Sequence, residues 1–427
     1  MRMTLDHRAL HKLSHQAGGT FYLFDENRFV ENYSRLREQL RQHHANTQVA
    51  YALKANYMPR ICELINELSG MAEVVSRFEF DVARRHLPTA QLIFNGPIKR
   101  EDDLRTALRG GSAVNIDSFR EIALLEQLAG EFDEIVIGLR VNFASLPASR
   151  FGFQVESGEL ESALNRLKRT PNLKVTGLHC HVSDRARGVT AHTERIRLLS
   201  ELALQLAPQY TIETLNVGGG LLGAMPAQLK SQFPFEVPSI DEYADAIGSA
   251  FKRYAPCSTM QLIVEPGISM VADTQCLVAE VIEIRERNGI YQALIDTSIN
   301  STNPTHSNSQ PMLYAVTANT QDASSPHTYR LVGHTCMEHD VICEAFTGRL
   351  DIGDYIVFEN RGAYSLNYTP PFITPAPAVL NRQGYMLKRA DDCASVLVSY
   401  CSRHVESPSV DISYPADSLA PEPSIHV

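Results

Sequence analysis

Eight short apolar runs, each followed by an amphipathic stretch, constrain this chain more than anything else in it. The runs are 49–53, 72–75, 91–94, 112–116, 134–141, 174–180, 213–217 and 261–264. Between them, residues 59–68, 100–108, 119–128, 190–206 and 240–254 place apolar side chains at helical spacing. Phe29, Tyr33, Leu36 and Leu40 do the same ahead of the first run. Buried strands alternating with helices predict a parallel sheet, and eight such units close a (β/α)8 barrel, an α/β fold. The barrel is expected over residues 26–272. Past residue 272 the runs at 278–285, 292–296, 328–332, 355–359 and 396–400 are β-rich and separated by Gly, Pro, Asn and Ser clusters. They predict a second, mainly antiparallel, β-barrel-like domain over residues 273–404 together with 1–25, with Phe21–Phe24 as one of its strands. Residues 405–427 hold four prolines and five serines and read as an extended or disordered tail.

Composition narrows the function classes. At 44% hydrophobic and 21% charged, the 427 residues can bury a large core without disulfides or a structural metal. No run of 18 apolar residues is present, so no membrane span is expected. A net charge of −10 argues against nucleic acid or an anionic membrane as the main partner. No apolar signal segment follows Met1, which points to the cytoplasm. The eight cysteines form no CxxC pair and no zinc spacing, so they read as reduced side chains and no metal is expected.

Barrel enzymes gather their chemistry at the C-terminal ends of the strands. The first run ends in Lys54, where desolvation would lower the pKa of an amine nucleophile; taken alone it reads more often as a lysine reaching solvent. The sixth ends at His179 and His181. The seventh ends at Gly218, Gly219 and Gly220, either an anion-binding nest or a tight turn. The eighth ends at Glu265-Pro-Gly267, a carboxylate that alone could be a structural ion-pair partner. An amine, an aromatic base, a phosphate nest and a carboxylate, in strand order, together describe a site for pyridoxal phosphate (PLP).

With those residues in place, the sequence resembles the fold-type III PLP decarboxylases, the ornithine, diaminopimelate and carboxynorspermidine decarboxylase family. The matching segments are YALKAN (51–56), VNIDS (114–118), SRFGF (149–153), GLHCHV (177–182), NVGGG (216–220), VEPG (264–267), GHTCMEHD (333–340) and GAY (362–364). The resemblance implies that Lys54 carries the cofactor and His181 stacks on its ring. Gly218, Gly219, Gly220, Gly267 and Tyr364 would hold the phosphate, Glu265 would protonate the pyridine nitrogen, and Arg140 would lie near the ring. It also implies a head-to-tail homodimer with shared active sites, in which Cys336 is delivered from the second subunit. Lys54, His181, Glu265 and Cys336 are then the catalytic set.

Several positions depart from the family pattern. Ser183-Asp184 stands where relatives have Gly-Ser, and Ile268 where they have Arg after Glu-Pro-Gly, so a phosphate contact is altered. Met337 follows the site cysteine where ornithine and diaminopimelate enzymes place an acid for the distal amine, with Glu338 next and Asp340 in its expected place. The expected reaction is therefore decarboxylation of an amino-acid centre in a carboxylate-bearing conjugate. A siderophore intermediate of the citryl-diaminopropionate type is the favoured substrate, contacted by Met337, Glu338, Arg361 and Phe372, with His334 a further candidate. A diamino-acid or carboxynorspermidine-type decarboxylase is the alternative, and a catalytically inactive, decarboxylase-like regulatory binding protein another. An acid rather than an arginine at Glu265 favours decarboxylation over racemisation.

Overall fold

The computed structural model describes residues 6–182, 188–305, 310–318, 326–398 and 400. All eight apolar runs are strands: Thr47–Ala52, Met71–Val74, Leu92–Phe94, Ala113–Ile116, Ile135–Asn142, Leu173–His179, Thr214–Asn216 and Gln261–Val264. Each pairs in parallel with the next, and the eighth returns to the first through Leu262↔Thr47, Ile263↔Gln48 and Val264↔Val49, which closes the barrel. Ala50, Ile93 and Ile263 fill part of its interior as a small apolar cluster. The large core lies outside the strands, under the surrounding helices, where Phe29, Tyr33, Leu36 and Leu40 of helix Glu26–His43 are all buried. Helices Arg77–Ala83 and Glu159–Leu167 complete the ring and were not apparent from periodicity. Ser76 and Ser118 cap the helices that follow them, each side chain accepting a backbone N–H three residues on.

The second sheet has nine strands and is built on Gln275–Arg287, which leaves the barrel directly. A bulge between Val281 and Glu283 divides that strand. Its first half pairs with Phe21–Phe24 and Tyr355–Phe358, its second with Ile290–Ile295. Phe21–Phe24 therefore joins this sheet. Six pairings are antiparallel; two, Phe21–Phe24 with Ala378–Asn381 and Ile290–Ile295 with His327–Val332, are parallel. Barrel and sheet fall in one compact unit, Met1–Ala390.

Residues Asp391–Val427 form a separate unit. The strand expected at 396–400 is not there: Cys393–Leu397 is a helix. The Asp392 side chain caps Ser395 N–H and Ser395 reciprocates, so a local capping box overrides the β-rich composition. The tail expected at 405–427 lies outside the described residues. Among the described residues no helix is long and apolar enough to cross a membrane.

Candidate active site

The ends of seven barrel strands meet in one polar network. Lys54 sits in a single helical turn, Leu53–Ala55, directly after the first strand, and its Nζ donates to Glu73 Oε2 on the second strand at 2.7 Å. Asn95, after the third strand, donates to both Glu73 Oε1 (3.0 Å) and Glu265 Oε1 (2.7 Å). Asn115 on the fourth strand donates to Asn95 Oδ1 at 2.8 Å, which fixes the amide so that its N–H groups face the two carboxylates. Asn216 donates to Glu265 Oε1 at 2.6 Å, and His179 Nε2 stands 3.3 Å from Glu265 Oε2.

These contacts set the charges. Burial works against the Lys54 ammonium, but Glu73 and Glu265 outweigh it and raise its pKa. The sequence expectation of an amine whose pKa is lowered by desolvation is thereby corrected: two carboxylates, one from each neighbouring strand, hold it charged. Burial would also push Glu265 up, yet His179, Lys54 and His181 hold its carboxyl well below the usual range, so it is ionised. His181 goes the other way. Burial and then Lys54 drive its pKa well down, and its Nδ1 accepts the Gly219 N–H at 2.8 Å, a bond that only an unprotonated Nδ1 can make.

The glycine run bends sharply here. Gly218 has φ +65° and Gly220 φ +104°, and any side chain at Gly219 would run into the Glu265 carbonyl. Arg140, on the fifth strand, donates to Asp117 Oδ2 and to the His181 carbonyl, both at 3.1 Å, and lies 4.6 Å from the centroid of the Phe151 ring. The second sheet reaches the barrel mouth through the segment after Tyr355–Phe358. Tyr364 N–H donates to the Ala55 carbonyl (2.8 Å), Asn56 donates to the Gly362 carbonyl (3.0 Å), and Asn367 to the Lys54 carbonyl (2.9 Å).

A cavity of about 140 Å³ opens among these groups, lined by Lys54, His181, Gly220, Glu265, Gly267 and Tyr364. Gly218 and Gly219 shape the turn behind Gly220, and Ile268 presents an apolar wall. Two polar lining residues escaped the sequence reading, His192 and Arg195 of helix Val189–Leu206. The signal was present: a histidine and an arginine three apart on an otherwise apolar face. A larger cavity, about 400 Å³, lies elsewhere and holds none of the strand-end groups; its Asp25 and Asp273 are paired to Arg382 and Arg28.

The expected substrate contacts are not brought to the cavity within this chain. Cys336 and Glu338 are exposed and Met337 is half-buried, on a loop pinned by Asp340, which accepts from Ile299 N–H and Thr335 N–H. His334 is engaged with Asp296 and Thr374. Phe372 is 43% exposed on the segment beyond Tyr364. Arg361 does not line the cavity: its Nη1 donates to the Thr302 carbonyl at the end of the short helix Ile299–Thr302. Ser183 and Asp184 lie outside the described residues.

Residues 26–272 match the family model for the pyridoxal-binding domain of pyridoxal-dependent decarboxylases. The chain belongs to that family. This decarboxylase is 25% identical over 415 residues to diaminopimelate decarboxylase of Methanocaldococcus jannaschii, covering 91% of this chain and 92% of that one. It is 27% identical over 375 residues to a probable chloroplastic diaminopimelate decarboxylase of Oryza sativa, 81% and 71% of the two chains. The crystal structure of the M. jannaschii enzyme superposes with TM-score 0.81 at 24% identity over 92% and 94% of the chains. The arginine decarboxylase of Paramecium bursaria Chlorella virus does so with TM-score 0.70 at 21% identity over 86% and 97%. This is a PLP-dependent amino-acid decarboxylase, and the cavity suits that cofactor: an amine, an ionised carboxylate, a neutral imidazole and a bare-backbone loop converge on it.

Proposed function

We propose that Lys54 holds PLP covalently, that His181 packs its neutral imidazole on the ring, and that Gly218, Gly219, Gly220, Gly267 and Tyr364 receive the phosphate, with Arg140 nearby. PLP supplies the electron sink for the bond broken at the substrate α-carbon. Glu265 carries this reading: buried, ionised and fixed by two amide donors, it is suited to hold a proton on the pyridine nitrogen. Glu73 keeps the Lys54 ammonium beside that carboxylate, so the amine and the acid share one amide bridge, Asn95. An intact network of this kind disfavours the inactive binding-protein alternative.

For the substrate, the relatives favour a diamino acid of the diaminopimelate type over a siderophore conjugate, and we adopt that reading. One observation keeps the conjugate as a second reading: the residue after Cys336 is Met337, which offers no anion to a distal ammonium. Carbon dioxide release from meso-diaminopimelate, lysine, ornithine and citryl-diaminopropionate separates the two. Highest kcat/KM on diaminopimelate is expected, and preference for the conjugate by ~10-fold or more would reverse the choice. Met337→Glu should raise relative turnover of the diamino acids.

Cys336 is exposed and outside its own cavity, which supports a head-to-tail homodimer in which it completes the partner's site.

A further inference from the structure

The helix that follows the sixth strand buries an arginine. Arg195 is 2% exposed and among the largest fully buried side chains, a position that charged residues rarely take. Its guanidinium lies against the glycine loop. Nη1 donates to the Val217 carbonyl at 2.7 Å and the Gly219 carbonyl at 3.3 Å, Nη2 donates to Gly219 at 3.2 Å, and Nε donates to the Ala191 carbonyl at 3.3 Å. His192 Nδ1 accepts from Nη2 at 2.6 Å, as a neutral ring can; burial, then Arg195 itself, holds that ring uncharged.

The fork grips carbonyls of the loop that the cofactor must approach. A trans peptide points its N–H opposite its C=O, and the chain has no cis peptide bonds among its described residues. Fixing the Gly219 carbonyl on Arg195 therefore turns the Gly220 N–H the other way. No acceptor among the described residues takes that N–H, and Gly220 lines the cavity. Charge points in the same direction. Among the described lining residues the cations are Lys54 and Arg195; Lys54 is committed to Glu73 at 2.7 Å, and Ile268 and Leu221 add only apolar surface. A phosphate monoester is close to a dianion at neutral pH and needs both oriented N–H groups and positive charge.

We infer that Arg195 is the positioning residue and buried counter-charge for the cofactor phosphate, acting through the glycine loop. This rests on the reading of the cavity as the PLP site. Apoprotein of the full chain is titrated with PLP and with pyridoxal, which lacks the phosphate, following absorbance and thermal melting. Arg195→Met should weaken PLP binding by ~30-fold or more and leave pyridoxal within ~3-fold, whereas Arg195→Lys, which keeps charge without the fork, should fall between. Equal loss of both aldehydes, or unchanged PLP affinity, overturns the role. If Arg195→Met does not fold, Arg195→Lys with a wild-type melting point decides alone: a PLP-selective loss supports the role, and unchanged selectivity overturns it. Wild-type protein that bound neither aldehyde would instead sink the cavity assignment.

Discussion

Lys99 and Glu121 form an ion pair at 2.9 Å with neither side chain exposed, one on the loop after the third barrel strand and the other in the first turn of the helix after the fourth. In the second sheet, Arg330 and Glu344 make a pair of the same length, but their side chains are 37% and 73% exposed. The difference extends to the chemistry of the two regions. The barrel mouth encloses a continuous set of charges and amides running from Lys54 through Glu73 and Asn95 to Glu265, with Arg140 paired to Asp117 beside it. The sheet delivers Tyr364 to that mouth but leaves Cys336 in the open. A closed parallel barrel forces its strand-end side chains into one low-dielectric place, where every charge needs an answer. An open sheet imposes no such demand on its loops, so their functional groups wait on a neighbour.

The largest expected effect tests whether the barrel alone captures the cofactor. Lys54→Ala should lower kcat by roughly 10³-fold or more while the protein stays folded. Borohydride reduction of the wild-type holoprotein should leave the cofactor mass on the Lys54 peptide; finding it on another lysine refutes the assignment. Next comes the division of labour between the regions. Mixing inactive Lys54→Ala and Cys336→Ala proteins should restore up to about a quarter of wild-type activity, since random exchange gives about half heterodimers with one intact site each. No recovery after verified subunit exchange would place Cys336 outside the site.

The contrast in burial can be measured directly. Lys99→Met strands a buried carboxylate and should cost ~3–5 kcal/mol in urea unfolding. Glu79 sharpens the comparison through pH. Burial raises its carboxyl from 4.5 to about 7, against the opposing Val75 N–H and with Glu73 adding to it. Because the folded pKa is raised, this contribution to stability is fully present below about 4.5 and lost as pH rises through about 7. The total is about 3 kcal/mol, and Glu79→Gln should flatten that slope. A melting curve with the same pH slope in the variant would show the carboxyl is not the source. The smallest effect belongs to the sheet: Arg330→Ala should change unfolding by less than ~1 kcal/mol.

Much of this was legible in advance. All eight barrel strands start and end within about two residues of their apolar runs, because a strand buried on both faces writes an unbroken apolar segment. Sheet strands Leu313–Val316, Val341–Gly348, Ala378–Asn381 and Met386–Lys388 were missed. They are short or half-exposed, and their pattern lacks that signature. Helix His7–Ala17, mostly polar, was missed for the same reason.

The sequence by itself determined the barrel, since local periodicity fixes which segments are strands and how many there are. It also determined which residues stand at the strand ends, Lys54, His181, the glycines and Glu265 among them. Only the tertiary structure decided their state. Glu73, Asn95, Asn115 and Asn216 are unremarkable polar residues along the chain, and Asn95 lies 170 positions from Glu265. Closing the eighth strand onto the first brings them within hydrogen-bonding distance. That closure charges Lys54 when burial alone would discharge it, ionises Glu265 and neutralises His181. The same closure sets Arg195 against the glycine loop. Charge in a protein depends on through-space neighbours, which no spacing along the chain encodes.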